Sequence, residues 1–158
     1  MNPTDLSDVA HCGLYCGLCA SRHRIPEQAA RLRASLHAEG YDFWYADVPA
    51  MREPFPFFWK MLTDLATKPC PGCRAGGGYP ACPIRLCARE RGQTVCNQCP
   101  EFPCQRFEML DRYPCCIPDN RRMQQIGIEV WIVEQRARAA KGVVYADFRH
   151  PDRPADQG

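Results

Sequence analysis

The stretch HCGLYCGLCA at residues 11–20 holds three cysteines at the spacing C-x3-C-x2-C. Cys12, Cys16 and Cys19 in this arrangement are compatible with a metal site, a disulfide knot or the iron–sulfur cluster of a radical enzyme. The radical-enzyme interpretation needs a large barrel after the motif. A chain of 158 residues whose following segments have helical and aromatic patterns has no room for one.

Composition and charge narrow the remaining choices. The chain is 46% apolar and carries a formal net charge of +2, with no basic run that would follow a nucleic-acid backbone or a membrane surface. MNPTDLSDVA at the start lacks the basic and apolar regions of a secretory signal, and no stretch reaches the ~20 apolar residues of a membrane helix. We therefore expect a cytoplasmic protein with no membrane contact. In that compartment the twelve cysteines are expected to be metal ligands rather than disulfides.

Two helical patterns lie in the cysteine-free stretch between residues 20 and 69. PEQAARLRASLHAEG (26–40) begins with Pro26, a favourable first helical residue, and ends at Gly40. FFWKMLTDLATK (57–68) has apolar residues at helical spacing, and the burial preference of such residues predicts that they face the core. The predicted core residues of this segment are Phe58, Met61, Leu62 and Leu65.

The C-terminal part is helical again in NRRMQQIGIEVWIVEQRARAAKG (120–142), where Gly127 predicts a kink or two helices that meet. Residues 143–148 could form one short strand, and residues 149–158 are a polar tail that we expect to be loose. The predicted fold is mostly α. It is a small single domain over residues 1–148, with short helices, cysteine-rich metal-binding loops and little or no sheet.

Two pairs of cysteines have the C-x2-C spacing that aims both sulfurs at one ion. KPCPGCR contains Cys70 and Cys73, and TVCNQC contains Cys96 and Cys99. Two further segments, CPIRLC (82–87) and CPEFPC (99–104), share the form C-P-x3-C. Proline at the first helical position would leave the preceding cysteine at the N-cap, so each segment is predicted to start a helix that presents ligands. The helices are expected to run through RLCARERG after Cys82 and through QRFEMLDR after Cys104. Buried free cysteines beside turns are the alternative.

The sequence resembles a known family in the motifs HCGLYCGLCA, KPCPGCR, CPIRLCARERG, CNQCPEFPC and IGIEVWIVEQ, which span roughly residues 10–138. The family is Domain of Unknown Function 3795, small cysteine-rich bacterial and archaeal proteins to which metal binding is ascribed. The resemblance implies a metal-binding architecture and no known reaction. The metal ligands that it implies are Cys12, Cys16, Cys19, Cys70, Cys73, Cys82, Cys87, Cys96, Cys99 and Cys104.

The grouping of these cysteines stays open at the level of sequence. Loop-closure entropy favours a local set of Cys70, Cys73, Cys82 and Cys87, but an interleaved set that uses Cys96 and Cys99 differs by only ~1 kcal/mol. We expect the N-terminal motif to fold back against CNQCPEFPC, where its metal is shared or completed by a non-cysteine ligand such as His11, water or substrate. All four histidines, His11, His23, His37 and His150, are weak ligand candidates, of which His11 and His23 lie nearest the cysteines. A solvated or helix-capping role is favoured for each of them. The adjacent cysteines at 115 and 116 lie outside the matching set and are predicted to be loop residues.

The function predicted from these patterns is that of a zinc protein. One to three zinc ions would be mainly structural, and an exposed surface would bind a protein partner. The alternative is an iron–sulfur or thiol-redox protein, including an enzyme with an open metal site. Nucleic-acid binding is disfavoured because no basic face is sustained. No residue stands out as catalytic, so the question of enzymatic activity is open at this stage.

Overall fold

The computed structural model describes residues 5–148 as short helices joined by loops. In chain order its α-helices are α1 (Arg24–Ala38), α2 (Tyr41–Trp44), α3 (Pro54–Thr67), α4 (Pro83–Glu90), α5 (Cys116–Ile126) and α6 (Ile128–Ala140). Short 3-10 helices span Cys16–Leu18, Ala20–Arg22, Tyr45–Asp47, Cys96–Gln98, Gln105–Leu110 and Tyr145–Asp147. Extended pairing within these residues is limited to one isolated bridge, between Val9 and Tyr15. The prediction of a mostly α fold with little or no sheet is confirmed.

Contacts divide the chain into two compact units. One unit is the continuous segment 20–70, and the other combines the N-terminal residues up to Cys19 with the residues from Pro71 onwards. We call them the helical unit and the cysteine unit. No helix of the described residues is long and apolar enough to cross a bilayer. The predicted loose tail at 149–158 lies outside the described residues.

The helical unit is built on the packing of α1 against α3. Phe55 of α3 is buried, and its ring meets Tyr45 edge-to-face with the ring centroids 5.0 Å apart. The helix α1 starts two residues before the predicted Pro26, which therefore occupies the first turn rather than the first position. A proline is tolerated there because the N–H groups of the first turn have no helical partner in any case.

The predicted core stripe of α3 is largely exposed. Leu62 is buried, whereas Phe58, Met61 and Leu65 expose 42%, 49% and 47% of their surface. The prediction was wrong for these three residues because α3 is apolar over more of its circumference than the single face that packs against α1. A helix that meets one neighbour can bury only one stripe.

The core of the cysteine unit surrounds Trp131 and Ile132 of α6, neither of which is exposed. The ring of Tyr15 meets that of Trp131 edge-to-face at 6.1 Å between centroids, and the backbone N–H of Tyr15 donates to the hydroxyl of Tyr145 at 2.7 Å. Val95 belongs to the same buried cluster. The residues that precede the two cysteine turns, at positions 15 and 95, are therefore both fixed in one core.

Gly127 separates α5 from α6, as the sequence predicts for two helices that meet. Its φ of 81° and ψ of 153° lie where residues with a side chain are strained, so the helical pattern stops there and begins again at Ile128. The predicted strand at 143–148 was wrong. Val144 is extended, but the chain turns at once into the 3-10 helix Tyr145–Asp147, and the Val144 N–H donates to the Asp147 carboxylate at 3.0 Å.

Replacing two adjacent residues of α6 should show where the core of the cysteine unit lies. Ile132→Ala removes a fully buried side chain and should lower the free energy of unfolding by about 2–5 kcal/mol. Val133 is 56% exposed, so Val133→Ala should change it by less than about 0.5 kcal/mol. Denaturant titration of both variants measures the difference, and equal losses would contradict this core.

Candidate metal centre

Two C-x2-C turns of the cysteine unit have the same backbone geometry. One is the 3-10 helix Cys16–Leu18, which ends at Cys19, and the other is the 3-10 helix Cys96–Gln98, which ends at Cys99. In each turn the N–H of the second cysteine donates to the carbonyl of the first at 3.0 Å. The residues on either side of each 3-10 helix are extended. We call these turns knuckle 1 (16–19) and knuckle 2 (96–99).

The N-terminal motif folds back against knuckle 2, as the sequence predicts. The backbone N–H of Cys96 donates to the carbonyl of His11 at 2.8 Å. Side chains also tie knuckle 2 to α5, because Asn97 donates to the carbonyl of Asn120 at 3.3 Å and Gln124 donates to the carbonyl of Asn97 at 2.6 Å. The position of knuckle 2 is therefore set by contacts far away in sequence.

Four cysteines line one small cavity of about 20 Å³ beside knuckle 2. That volume is about the space of one water-sized sphere. Apolar side chains such as Ile84 and Phe107 form part of the same wall. We call this the four-cysteine cavity, and its cysteines are Cys87, Cys96, Cys99 and Cys104.

The grouping differs from the local set that loop closure favours. Cys87 of α4 lines the cavity with the three cysteines of CNQCPEFPC. Cys82 is not among the lining residues, although it packs against the same apolar cluster of Ile84, Phe107 and Cys116 as Cys96 and Cys104. Cys82 is the N-cap of α4 and Pro83 is its first residue, as predicted, so the helix does present Cys87. The contacts that decide the partner of Cys87 come from knuckle 2, which the spacing could not show.

The second C-P-x3-C segment does not start a helix after its first cysteine. In CPEFPC the N–H of Phe102 closes a turn onto the Cys99 carbonyl at 3.0 Å, and the next helix begins at Gln105, after Cys104. Pro103 explains the departure from the prediction, because proline disfavours helical backbone at the residue before it and has no N–H for the helix ladder. Cys104 rather than Cys99 is therefore the cysteine that caps a helix here, and that helix, Gln105–Leu110, lies in the QRFEMLDR stretch where the sequence predicts one.

The electrostatics of the four-cysteine cavity disfavour isolated thiolates. Burial, followed by the nearby thiols of Cys12, Cys87, Cys104 and Cys99, raises the pKa of Cys96 to about 12. At the rim, Arg91 donates to the Cys99 sulfur at 3.6 Å and to Glu101 at 2.7 Å. A positive charge thus lies against one of the four sulfurs.

The Cys12 thiol lies against Cys116 at the start of α5, and it is also close to Cys96 of knuckle 2. A hydrogen bond with Cys116, then burial, raises the pKa of the Cys12 thiol well above its usual value. Asn120, fully buried, donates to the carbonyls of Cys12 at 2.9 Å and Cys116 at 2.8 Å. The sequence-based description of Cys116 as a loop residue was wrong, because it is the first residue of α5 and is 1% exposed.

Knuckle 1 meets the CPGC loop inside the cysteine unit. The backbone N–H of Cys73 points at the sulfur of Cys16 at 3.5 Å. Gly72 has a φ of 95°, a left-handed conformation that favours glycine at this turn. Cys70 is the last residue of the helical unit, so its pairing with Cys73 stays a prediction from the C-x2-C spacing.

Two arginines hold the loop that follows the CPGC motif. Arg85 of α4 is 4% exposed and donates to the carbonyls of Cys73, Gly77, Tyr79 and Pro80 at 2.7–3.2 Å. Similarly, Arg74 donates to three carbonyls at 2.7–2.8 Å, those of Leu6, Val9 and Thr94. Sequence reasoning missed both roles, and no local pattern distinguishes these arginines from exposed ones.

The histidines are placed by other contacts. His11 is buried near Gln93 and Thr94, and burial followed by the charges of Arg74 and Arg89 lowers its pKa. Within the described part of the chain, its Nδ1 has no hydrogen-bond partner. His37 lies 2.7 Å from Asp42 on the surface of the helical unit, His23 precedes α1, and His150 lies outside the described residues.

Coordination distances are not reached in the range 5–148. Within it, no three His, Cys, Asp or Glu side chains converge closely enough to hold an ion. The ten predicted ligands therefore stay predictions, and the structure supplies their neighbourhoods. Eight of the ten lie in the four-cysteine cavity, at the contact between knuckle 1 and Cys73, or, for Cys12, beside Cys116. The other two are Cys82, in the apolar cluster of Ile84 and Phe107, and Cys70, at the end of the helical unit.

Comparison with known proteins identifies one family. A family model described as "Protein of unknown function (DUF3795)" matches residues 8–109. All ten predicted ligands fall inside the matched range, whereas Cys115, Cys116 and the IGIEVWIVEQ stretch fall outside it. No curated protein and no solved structure matches the chain.

A methyl group at Gly13 should disrupt the Asn120 contacts. Gly13 has a φ of 83°, and a Cβ there would overlap the amide of Asn120. Gly13→Ala should therefore cost more stability than Gly92→Ala, whose φ is 62° but whose Cβ would meet nothing. We expect about 1–2 kcal/mol for the strained backbone alone and at least ~1 kcal/mol more at Gly13. Denaturant titration compares the two, and equal costs would contradict the close approach.

Shortening the donor fork of Arg85 should unsettle the CPGC loop. Arg85→Lys keeps the charge but cannot reach all four carbonyls, so we expect a loss of about 2–4 kcal/mol from the carbonyls left without a donor. Arg89 is exposed and makes one bond to a carbonyl at 3.3 Å, so Arg89→Lys should change stability by less than about 0.5 kcal/mol. Thermal denaturation of both variants is the measurement. If Arg85→Lys melts at the same temperature as the wild type, other contacts hold the loop.

Proposed function

The chain belongs to the DUF3795 family of proteins of unknown function, and we propose that it is a zinc protein whose metal is structural. The observation that carries the proposal is the four-cysteine cavity beside knuckle 2. Four soft thiolates are a donor set that zinc accepts in closed tetrahedral sites. Cys87, Cys96, Cys99 and Cys104 would each supply one sulfur.

The donor set of the cavity fits a single zinc ion in a closed site of four thiolates. The same four thiolates are also the donor set of an iron–sulfur cluster, so the metal analysis below decides between the two. Binding would require the four sulfurs to approach one another, because Zn–S distances are about 2.3 Å.

The metal would neutralise the thiolates that the site otherwise disfavours. With the pKa of Cys96 near 12, this thiol keeps its proton at neutral pH in the absence of a cation, and zinc binding would release it. Four thiolates and one Zn²⁺ leave a net charge of about −2, which the guanidinium of Arg91 beside the Cys99 sulfur would partly offset.

A structural role follows from where the four ligands sit in the chain. Cys87 comes from α4, two ligands come from knuckle 2, and Cys104 caps the next 3-10 helix. Zinc would join these three elements by covalent links, in addition to the apolar cluster of Ile84 and Phe107. A closed set of four protein ligands also leaves no position for a substrate, so we propose no reaction at this site.

Three of the four arginines near the cysteines have their donors engaged inside the protein, and only Arg89 is exposed with a single hydrogen bond. Arg74 and Arg85 donate their hydrogen bonds to backbone carbonyls inside the cysteine unit, and Arg91 forms an ion pair with Glu101. Phosphate binding needs free donors at the surface. We infer that nucleic acid is not the partner, while a protein partner stays the expectation from the sequence.

Metal analysis with matched cysteine variants tests the proposal. Anaerobically purified protein should contain zinc and show no visible absorption of an iron–sulfur cluster. Cys99→Ser should lose about one zinc ion per chain and melt at a lower temperature, because a zinc site contributes on the order of 10 kcal/mol to folding. Cys115→Ser is the control, since Cys115 does not line the cavity and should keep its zinc.

Two results would contradict the proposal. Folded, metal-free protein with all of its thiols free would exclude a structural metal. A visible cluster spectrum with stoichiometric iron and sulfide would replace zinc by the iron–sulfur alternative.

A further inference from the structure

We propose that the cysteine unit holds a second metal–thiolate centre, formed by Cys16 and Cys19 of knuckle 1 together with Cys73. The proposal rests on the proposed function for the identity of the metal, zinc. Its ligands are separate from the four that line the cavity. Three observations carry it: the geometry of knuckle 1, the contact between Cys73 and Cys16, and the buried charge beside Cys73.

The first observation is that knuckle 1 repeats the backbone of knuckle 2. Both turns are 3-10 helices between extended residues, and both are closed by the same N–H to carbonyl bond at 3.0 Å. Both also follow a residue buried in the core, Tyr15 or Val95. Knuckle 2 presents two sulfurs to the four-cysteine cavity, so the same turn at 16–19 is built to present Cys16 and Cys19 to one ion.

The second observation is the hydrogen bond to sulfur. The N–H of Cys73 lies 3.5 Å from the Cys16 sulfur, although 57 residues separate the two in sequence. The contact brings a third cysteine to knuckle 1. A fourth coordination position is left for a ligand from outside this group.

The third observation is an uncompensated charge. Arg85 is 4% exposed, and its contacts within residues 5–148 are backbone carbonyls, with no carboxylate among them. One of these carbonyls is that of Cys73, at 3.2 Å. A buried cation without an anion is costly, and a zinc centre with three or four thiolates carries a net charge of about −1 to −2. The second centre would supply the missing negative charge.

Cys12 is left out of this centre although it belongs to the same sequence motif. Its thiol is paired with Cys116, and Asn120 holds both backbones. The C-x3-C-x2-C motif is thereby divided, with its first cysteine against α5 and its last two in knuckle 1. Cys12→Ser is therefore a control from within the motif itself.

Zinc stoichiometry in four variants of the full chain tests the proposal. Wild-type protein should bind about two zinc ions, and Cys16→Ser and Cys73→Ser should each bind about one, because either change opens the second centre. Cys99→Ser should also bind about one ion, but from the other centre. Cys12→Ser should keep both ions.

A second measurement counts the metal sites in the wild type itself, so it does not depend on whether a variant folds. The cadmium-substituted protein should give two ¹¹³Cd resonances at the shifts of sulfur-rich sites. Cys73→Ser should remove one of them and Cys99→Ser the other.

The outcomes separate this inference from the proposed function. A single resonance in the wild type, with zinc content unchanged in Cys16→Ser and Cys73→Ser but lowered in Cys99→Ser, would overturn the second centre and leave the first. Loss of zinc in Cys16→Ser with none in Cys99→Ser would instead overturn the four-cysteine site and support knuckle 1. Loss of zinc in Cys12→Ser equal to that in Cys16→Ser would contradict the division of the motif.

Discussion

The cysteine unit depends on hydrogen bonds that side chains make to loop carbonyls. Long parts of this unit are neither helix nor sheet, so their backbone groups cannot pair in a regular ladder, and a buried carbonyl without a donor is costly. Arg85 and Arg74 together serve seven carbonyls, and Asn120 serves two more. These three residues fix the positions of the N-terminal motif, the CPGC loop and α5 relative to one another. The cysteines carried by these segments are placed by the same hydrogen bonds.

The division of the opening motif follows from the same contacts. Asn120 holds the Cys12 carbonyl against α5, while the Tyr15 N–H is held by Tyr145. The chain between these two anchors turns, and the sulfurs on either side of the turn have different neighbours. Three cysteines that are close in sequence are therefore given to two different environments. The spacing of the motif alone would place all three cysteines in one metal site.

Local features of the fold could be predicted from the sequence, and long-range groupings could not. Pro83 and Gly127 act through their own backbone restrictions, so the start of α4 and the break between α5 and α6 were accessible from single residues. The partner of Cys87 depends on where knuckle 2 lies, which depends on its contacts with α5. The role of Arg85 could be predicted only if the path of the loop that it binds were known. The exposure of α3 depended on how few helices its unit contains.

The interruption of the cysteine unit by a continuous helical unit has a consequence for biosynthesis. Knuckle 1 leaves the ribosome first, but its anchor Tyr145 is about 126 residues downstream of Cys19. At roughly 5–20 residues per second, the early thiols wait on the order of ten seconds before the core that fixes them has been synthesised. During that interval nothing in the native fold protects them from oxidation or from a wrong metal. The nascent chain is therefore most vulnerable at its first cysteines, and a cell that makes this protein has to keep them reduced until the last helix has emerged.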